Sequence, residues 1–171
     1  MGKSLFLTVI YVVCSLCYMA AQGLVNVKHY SVKDGMSQNT VQGVLQDNEG
    51  YIWMATWNGL EKFDGYSFKN YKTYPTDKVK LQYNRLVNLQ LGGNQMLVCQ
   101  SYDRRVYLFD IRRECFEDVF AYHPEVKLCT AASKIITLPN GMVWIVGTNG
   151  DLWRIDCFRY KDKGGLVYLP A

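Results

Sequence analysis

Residues 41–71 decide the fold; they read VQGVLQDNEGYIWMATWNGLEKFDGYSFKNY. Four short β-like runs lie between the turn-forming groups DNEG, WNG and DG, which supply the positive φ angles that tight hairpins require. The apolar residues show no helical periodicity. Strands joined by turns this short form an antiparallel meander, because parallel pairing requires a crossover of about a dozen residues. The predicted strands cover residues 41–46, 51–56, 60–64 and 66–71.

The same pattern returns at residues 86–110 and 135–156. In each copy a turn precedes the second strand, and the third strand ends on an aromatic residue or Ile followed by Asp. Trp53, Leu97 and Trp144 align with a period of roughly 45 residues, which with four strands per unit is typical of β-propeller blades. Recurrence of the acidic residues indicates a structural role rather than catalysis for Asp47, Asp64, Asp110 and Asp156.

Composition agrees with a β-rich chain. The 171 residues are 49% hydrophobic and 20% charged, and 13 Tyr, 7 Phe and 4 Trp stand against 2 His. These values predict one domain with a packed core and disfavour a histidine-based metal or acid/base site. The formal net charge of +4 is too small and too evenly spread for a nucleic-acid partner. The predicted fold class is all-β: a partial β-propeller of about three four-stranded antiparallel blades.

The beginning of the chain predicts export. Lys3 precedes an uncharged apolar run at residues 5–21, and the next charge is Lys28. A basic end followed by such a run is typical of a secretory signal peptide. Cleavage is predicted after Ala21, which leaves Gln22 first. The alternative is an uncleaved leader, which would then be the only membrane contact; otherwise the mature chain is expected in the periplasm.

Residues 29–71 resemble the opening of the two-component regulator propeller. The motifs that carry the resemblance are DGMSQNTV at residues 34–41, DNEGYIW at residues 47–53 and TWNGLEKFDG at residues 56–65. The resemblance implies the periplasmic sensor region of a hybrid histidine kinase that detects glycan fragments in gut bacteria. It also implies a homodimer in full-length relatives. No kinase phospho-acceptor box or ATP-binding glycine motif is present, so the kinase of such relatives is not expected in this chain.

Domain boundaries follow from the repeat. Three blades do not close a ring, since propellers need about four to eight, so the expectation is a truncated or partial chain whose end blades expose apolar faces. Residues 25–32 alternate like a strand and by analogy predict a latch donated to the last blade. The predicted division is a signal peptide at 1–21, a latch strand at 22–33, and blades at 34–75, 76–122 and 123–171.

Candidate binding residues follow from topology. In a meander, the loops that lead into the first strand of each blade and those that join its second and third strands lie at the same end. Aromatic rings at that end can stack on sugars, while Asn and Arg can bind hydroxyl, carboxylate or sulfate groups. The predicted oligosaccharide-binding residues are Asn39, Trp57, Asn58, Arg85, Tyr102, Arg104 and Asn149.

Structural roles compete with this interpretation for several residues. Asn39 is able to brace its own loop, Gly59 and Gly150 serve turn geometry after Asn58 and Asn149, and Arg104 fits a solvated turn. Mid-strand Trp53 and Trp144 are predicted in the core. The two histidines, His29 and His123, are isolated and are predicted at the surface.

No motif predicts a catalytic site, a metal site or a cofactor. The four cysteines after the leader lack CxxC spacing, which disfavours zinc; in an oxidising compartment they allow two disulfides with three connectivities. Cys99, in an apolar run, is explained more simply as a buried thiol. The cysteines concerned are Cys99, Cys115, Cys129 and Cys157.

The predicted function is periplasmic ligand sensing, with an oligosaccharide as ligand and no catalytic activity in this chain. Full-length relatives of the resembled family are histidine kinases. The alternatives are a secreted binding or scaffold β-domain without a signalling role and, ranked last, a polysaccharide-cleaving propeller enzyme.

Overall fold

A computed structural model describes residues 2–3, 6–12 and 26–171. Residues 26–171 form three antiparallel sheets of four strands each, connected in the order of the chain. The first sheet contains β1 (Val41–Gln46), β2 (Ile52–Thr56), β3 (Gly59–Phe63) and β4 (Phe68–Tyr71). The second contains β5 (Leu86–Leu91), β6 (Met96–Ser101), β7 (Val106–Asp110) and β8 (Cys115–Glu117). The third contains β9 (Ala132–Thr137), β10 (Met142–Gly147), β11 (Leu152–Asp156) and β12 (Leu166–Leu169).

The prediction of an all-β chain with three four-stranded antiparallel blades is confirmed. Each sheet is an up-and-down meander in which consecutive strands pair. The first strands β1 and β5 pack against each other, which places them on the inside of the succession and leaves β4 and β8 on the outside. The sheets are therefore stacked as successive blades of a partial propeller.

Two hydrophobic clusters hold neighbouring blades together. Between the first and second sheets, Trp53 and Leu60 pack against Leu97 and Phe109, and the ring centroids of Trp53 and Phe109 are 5.4 Å apart. Between the second and third sheets, Val98 packs in a cluster with Val143, Ile145 and Trp153. Burial of these side chains stabilises the stack by roughly 1.5–3 kcal/mol per large residue.

Aspartates fix the turns, as their recurrence predicted. The Oδ1 atom of Asp47 accepts hydrogen bonds from the backbone N–H groups of Glu49 and Tyr51, and its Oδ2 atom accepts one from the indole Nε1 of Trp53. Asp64, Asp110 and Asp156 accept backbone N–H groups of the turns that follow the third strands. These carboxylates therefore replace backbone partners that the turns lack.

The structure corrects the prediction for Trp144. Residues of β10 alternate between half-buried and buried, and the buried ones, Val143 and Ile145, face the second sheet. Trp144 consequently points to the opposite face of the third sheet, which no other described sheet covers. Trp53 is fully buried, as predicted.

His123 is also placed differently from the prediction. It is 2% exposed and ends the short 3-10 helix Val119–Tyr122, where its Nε2 lies 2.6 Å from the carbonyl oxygen of Tyr160. A buried imidazole needs a hydrogen-bond partner, and the loop after β11 supplies it. His29 is exposed, as expected.

The segment before the first blade does not form the predicted strand. Residues 26–31 have no regular structure, and Val32–Asp34 form a 3-10 turn capped by Ser31. Tyr30 packs edge-on against Phe63 at 4.9 Å and so covers part of the face of the first sheet that points away from the second. Residues 26–31 pair with none of the three described sheets, so the latch stays a prediction. The predicted cleavage site after Ala21 lies outside the described residues.

The four cysteines after residue 26 are free thiols. Cys99, Cys129 and Cys157 are buried in the clusters between sheets, whereas Cys115 is exposed. Burial raises the pKa of Cys157 to about 11, so this thiol stays protonated. The disulfides that the spacing allowed are not formed. Among the described residues, no helix has the length and apolar character needed to cross a membrane.

Candidate functional site

One end of the stacked sheets carries the loops that lead into β1, β5 and β9 and those that join β2–β3, β6–β7 and β10–β11. We call this end the loop face. The meander topology predicted this grouping. Aromatic side chains remain accessible here: Trp57 in the β2–β3 turn is 42% exposed and Tyr102 in the β6–β7 turn is 58% exposed.

Arg85 joins these two aromatic residues across the first and second blades. The central carbon of its guanidinium group lies 3.5 Å from the ring centroid of Trp57 and 4.4 Å from that of Tyr102. Cation–π contacts at such distances hold a guanidinium group in place by about 0.5–2 kcal/mol each. The structure therefore brings together three of the residues that the sequence singled out.

Backbone hydrogen bonds fix the loops that present this cluster. The N–H of Trp57 donates to the carbonyl oxygen of Thr40, and that of Tyr102 donates to the carbonyl oxygen of Arg85 at 2.8 Å. The hydroxyl of Thr56 closes the β2–β3 turn by donating to the carbonyl oxygen of Gly59. The aromatic side chains thus project from short, hydrogen-bonded turns rather than from long loops.

A groove continues the loop face between the second and third blades. Its volume is about 590 Å³. The amide of Gln100 and the carbonyl of Arg104 form hydrogen bonds with the backbone of Ala132, which ties the two blades together at the groove floor. The groove is lined by Val87, Gln100, Tyr102, Arg104, Ala132 and Ser133. Tyr102 is therefore shared by the groove and the Arg85 cluster.

The sequence did not identify Gln100 or Ser133, because nothing in the pattern of a strand shows which polar residues face the next blade. Arg104, which was identified, is exposed and lies in the left-handed region with φ of 65°. Its position in the groove lining places a second guanidinium group beside Tyr102.

Two of the three predicted asparagines form side-chain hydrogen bonds within their own loops. The Oδ1 of Asn39 accepts the N–H of Val32, and the Nδ2 of Asn149 donates to the Oδ2 of Asp151 at 2.6 Å. Asn58 is half-buried and its carbonyl accepts a hydrogen bond from Asn70. Among the hydrogen bonds and ion pairs of the described residues, none joins these three side chains to Arg85 or Tyr102, and the geometry gives Asn39 and Asn149 loop-bracing roles.

Asp151 organises the β10–β11 turn at the same end of the third blade. Its Oδ2 accepts hydrogen bonds from the Nζ of Lys127, at 2.6 Å, and from Asn149. The Lys127 ammonium group is the main cause that lowers the pKa of Asp151 to about 2. The carboxylate side chain is only 6% exposed.

We expect Asp151→Asn to remove an acid-dependent part of the stability. A carboxyl group whose pKa is lowered from 3.8 to about 2 in the folded state stabilises the fold above about pH 4, and this contribution is lost as the pH falls toward 2. Urea unfolding at pH 7 should therefore show a less stable variant, and unfolding near pH 2 should show little difference from wild type. An equal difference at both pH values would contradict the assignment.

A second cleft of about 640 Å³ lies at the outer rim, beside β4 and β8. Two carboxylates in its lining are paired with lysines, Glu114 with Lys69 and Glu117 with Lys161 at 2.9 Å, whereas Lys72 and Lys78 in the lining take part in no ion pair of the described residues. Although burial raises the pKa of Glu117, hydrogen bonds from Lys161 and Tyr122 lower it below its ordinary value. The rim cleft is a weaker candidate than the loop face because none of the predicted oligosaccharide-binding residues lines it. In residues 2–3, 6–12 and 26–171, no cluster of His, Cys, Asp and Glu side chains has the geometry to hold a metal ion.

Comparison with known proteins gives a local match and a fold. No protein-family model matches the chain. Histidine kinase P4 of Formosa agariphila is 41% identical over 54 residues, which are 32% of this chain and 4% of that protein. The chain thus spans a small part of the relative's length.

Two solved structures share the fold. Both are extracellular domains of BT4673 from B. thetaiotaomicron, a protein assigned in one case to one-component systems and in the other to hybrid two-component systems. The first has a TM-score of 0.53 at 24% identity and covers 76% of this chain and 16% of that one. The second has a TM-score of 0.53 at 23% identity and covers 76% of this chain and 15% of that one. The resemblance that the motifs indicated is confirmed locally by the match to a histidine kinase, and these two structures confirm the fold.

Proposed function

We propose that this chain is part of the ligand-sensing region of a two-component signalling protein, located outside the cytoplasm, and that its ligand is an oligosaccharide. The local match to a histidine kinase and the fold shared with extracellular sensor domains support the sensing role. The apolar run at residues 5–21 supports export to the periplasm by a signal peptide.

The observation that carries the ligand proposal is the cluster of Trp57, Arg85 and Tyr102 on the loop face. Exposed aromatic rings cost free energy unless they meet an apolar surface, and the faces of sugar rings provide one. Arg85 adds directional donors beside the rings. The adjoining groove of about 590 Å³ extends the surface enough for a ligand of several sugar units.

Signalling in this proposal comes from the rest of a longer protein. Binding on the loop face would favour one arrangement of two sensor regions in a homodimer, and the difference in affinity between arrangements would set the size of the signal. Residues Trp57 and Tyr102 come from different blades, so a ligand that touches both also bridges two blades. No specific observation favours a scaffold role. Polysaccharide cleavage is not favoured either, because the recurring aspartates bind the backbone of their own turns.

The experiment that tests the proposal is titration calorimetry on a panel of oligosaccharides. We expect Trp57→Ala to weaken binding at least tenfold, because it removes a stacking surface and one of the two contacts that hold Arg85. The fold should remain intact, because the ring is 42% exposed.

Tyr66→Ala is the matched control. Tyr66 is 96% exposed and lies in the β3–β4 turn, at the end opposite to the loop face. The control should bind as wild type does. Equal affinities for wild type and Trp57→Ala, with folding verified by circular dichroism, would remove the cluster as the binding site.

A further inference from the structure

Arg85 has a positive charge that no carboxylate neutralises within the described part of the chain. It takes part in none of the ion pairs there. Its Nε is buried without a hydrogen-bond acceptor. Because this atom is covered, a ligand has to bind the terminal nitrogens Nη1 and Nη2, which are not among the buried unpartnered atoms of the described residues.

We propose that the oligosaccharide bound on the loop face is acidic and that Arg85 binds its oxyanion, a carboxylate or a sulfate group. This inference rests on the proposed oligosaccharide function. Guanidinium N–H groups lie in one plane and match two oxygens of such a group, whereas a neutral hydroxyl accepts only single bonds from them.

Packing prepares Arg85 for this role. Contact with the rings of Trp57 and Tyr102 restricts the rotamers of a side chain that is otherwise flexible, so less conformational entropy is lost when a ligand binds. Both rings also displace water from the guanidinium group, which strengthens a charge-assisted hydrogen bond at its edge.

The surrounding charges favour an anion. The acidic residue nearest in the chain to Tyr102 is Asp103, and its oxygens are already bound by the Ser101 hydroxyl and by Arg105 at 3.5 Å. Arg104 supplies a second guanidinium group to the adjoining groove. A ligand lying along the loop face would therefore meet two guanidinium groups near Tyr102, those of Arg85 and Arg104.

The test compares each acidic oligosaccharide with its own neutral counterpart. A panel of uronic-acid oligosaccharides is measured beside the carboxyl-reduced forms, and sulfated oligosaccharides beside the desulfated forms, by calorimetry with the whole chain. We expect the acidic member of a pair to bind at least tenfold more tightly. The uronate and sulfate arms distinguish the two sources of the oxyanion.

Substitutions assign the preference to one residue. Arg85→Gln should abolish the difference between acidic and neutral members, and Arg85→Lys should retain part of it, because Lys keeps the charge but loses the planar fork. The control is Arg159→Gln, at the opposite end of the third blade, where Arg159 is exposed and paired with Asp162 at 3.4 Å. That variant should keep the full preference.

The outcomes separate this inference from the proposed function. Equal affinity for acidic and neutral members, or a preference that survives in Arg85→Gln, would overturn the acidic-ligand inference and leave oligosaccharide sensing intact. Absence of binding to every member of the panel would overturn both. A preference that disappears in Arg85→Gln and persists in Arg159→Gln would support both.

Discussion

Replacing Trp53 by Ala is expected to lower the free energy of unfolding by about 3–5 kcal/mol, the range for deletion of a large buried aromatic side chain. Trp53 is fully buried between the first and second blades, where it contacts the rings of Tyr71 and Phe109. The substitution also leaves the Oδ2 of the buried Asp47 without its indole donor. Cavity formation and the loss of this bond act in the same direction.

Trp144→Ala is the matched control, because the two tryptophans occupy equivalent positions. In the strand pairing, Trp53 lies opposite Lys62 and Trp144 lies opposite Arg154. Each of these basic residues comes two positions before the aspartate at the end of the third strand of its blade. Trp144 is half-buried on a face that no described sheet covers, so its loss should cost less than half as much. Urea unfolding monitored by circular dichroism measures both variants. Similar losses would contradict the packing assigned to these faces.

This pair of residues shows how far the sequence predicts the fold. Local signals sufficed for the strands and turns of the first blade: the structure has strands at Val41–Gln46 and Ile52–Thr56 where alternation and turn residues predicted them. Recurrence of aspartates predicted their turn role correctly. These features depend on contacts between residues close in the chain.

Packing between blades could not be predicted in the same way. The equivalent of Trp53 in the second blade is Val98, which pairs with Leu108, rather than Leu97 as the sequence alignment had it. A shift of one residue exchanges the two faces of a strand. Trp144 was predicted in the core for a different reason: its face of the third sheet is covered by no other described sheet, and a single strand does not reveal this. The burial of His123 was also missed, because its hydrogen-bond partner is the carbonyl of Tyr160 in a distant loop.

The candidate site was predicted in part for a similar reason. Topology correctly placed Trp57, Arg85 and Tyr102 at one end of the sheets, since the ends of a meander follow from strand order alone. Whether an asparagine points to solvent or braces its own loop depends on local geometry, and Asn39 and Asn149 do the latter. Contact between Arg85 and two aromatic rings requires two blades to pack, which sequence spacing does not reveal.

The second large effect is expected for Gly59→Ala, in the turn that presents Trp57. Gly59 has a φ of +108°, which costs an L-residue about 1–3 kcal/mol. In addition, a Cβ at this position would collide with the carbonyl oxygen of Tyr71 on the neighbouring strand β4. Backbone cannot rotate away as a flexible side chain does, so β3 and β4 must separate, at a further cost of about 1–3 kcal/mol.

Gly65→Ala separates the two causes. Gly65 has a similar φ of +96° in the β3–β4 turn, and no described atom lies within 4 Å of an added Cβ. This control should lose only the conformational part, about 1–3 kcal/mol, and should bind oligosaccharide as wild type does. Gly59→Ala should lose clearly more stability in urea unfolding and should also bind more weakly, because displacement of Tyr71 and of the β2–β3 turn moves Trp57 away from Arg85. If both glycine variants unfold at the same urea concentration, the close approach of β4 to Gly59 does not contribute to stability, and the turn geometry alone positions Trp57.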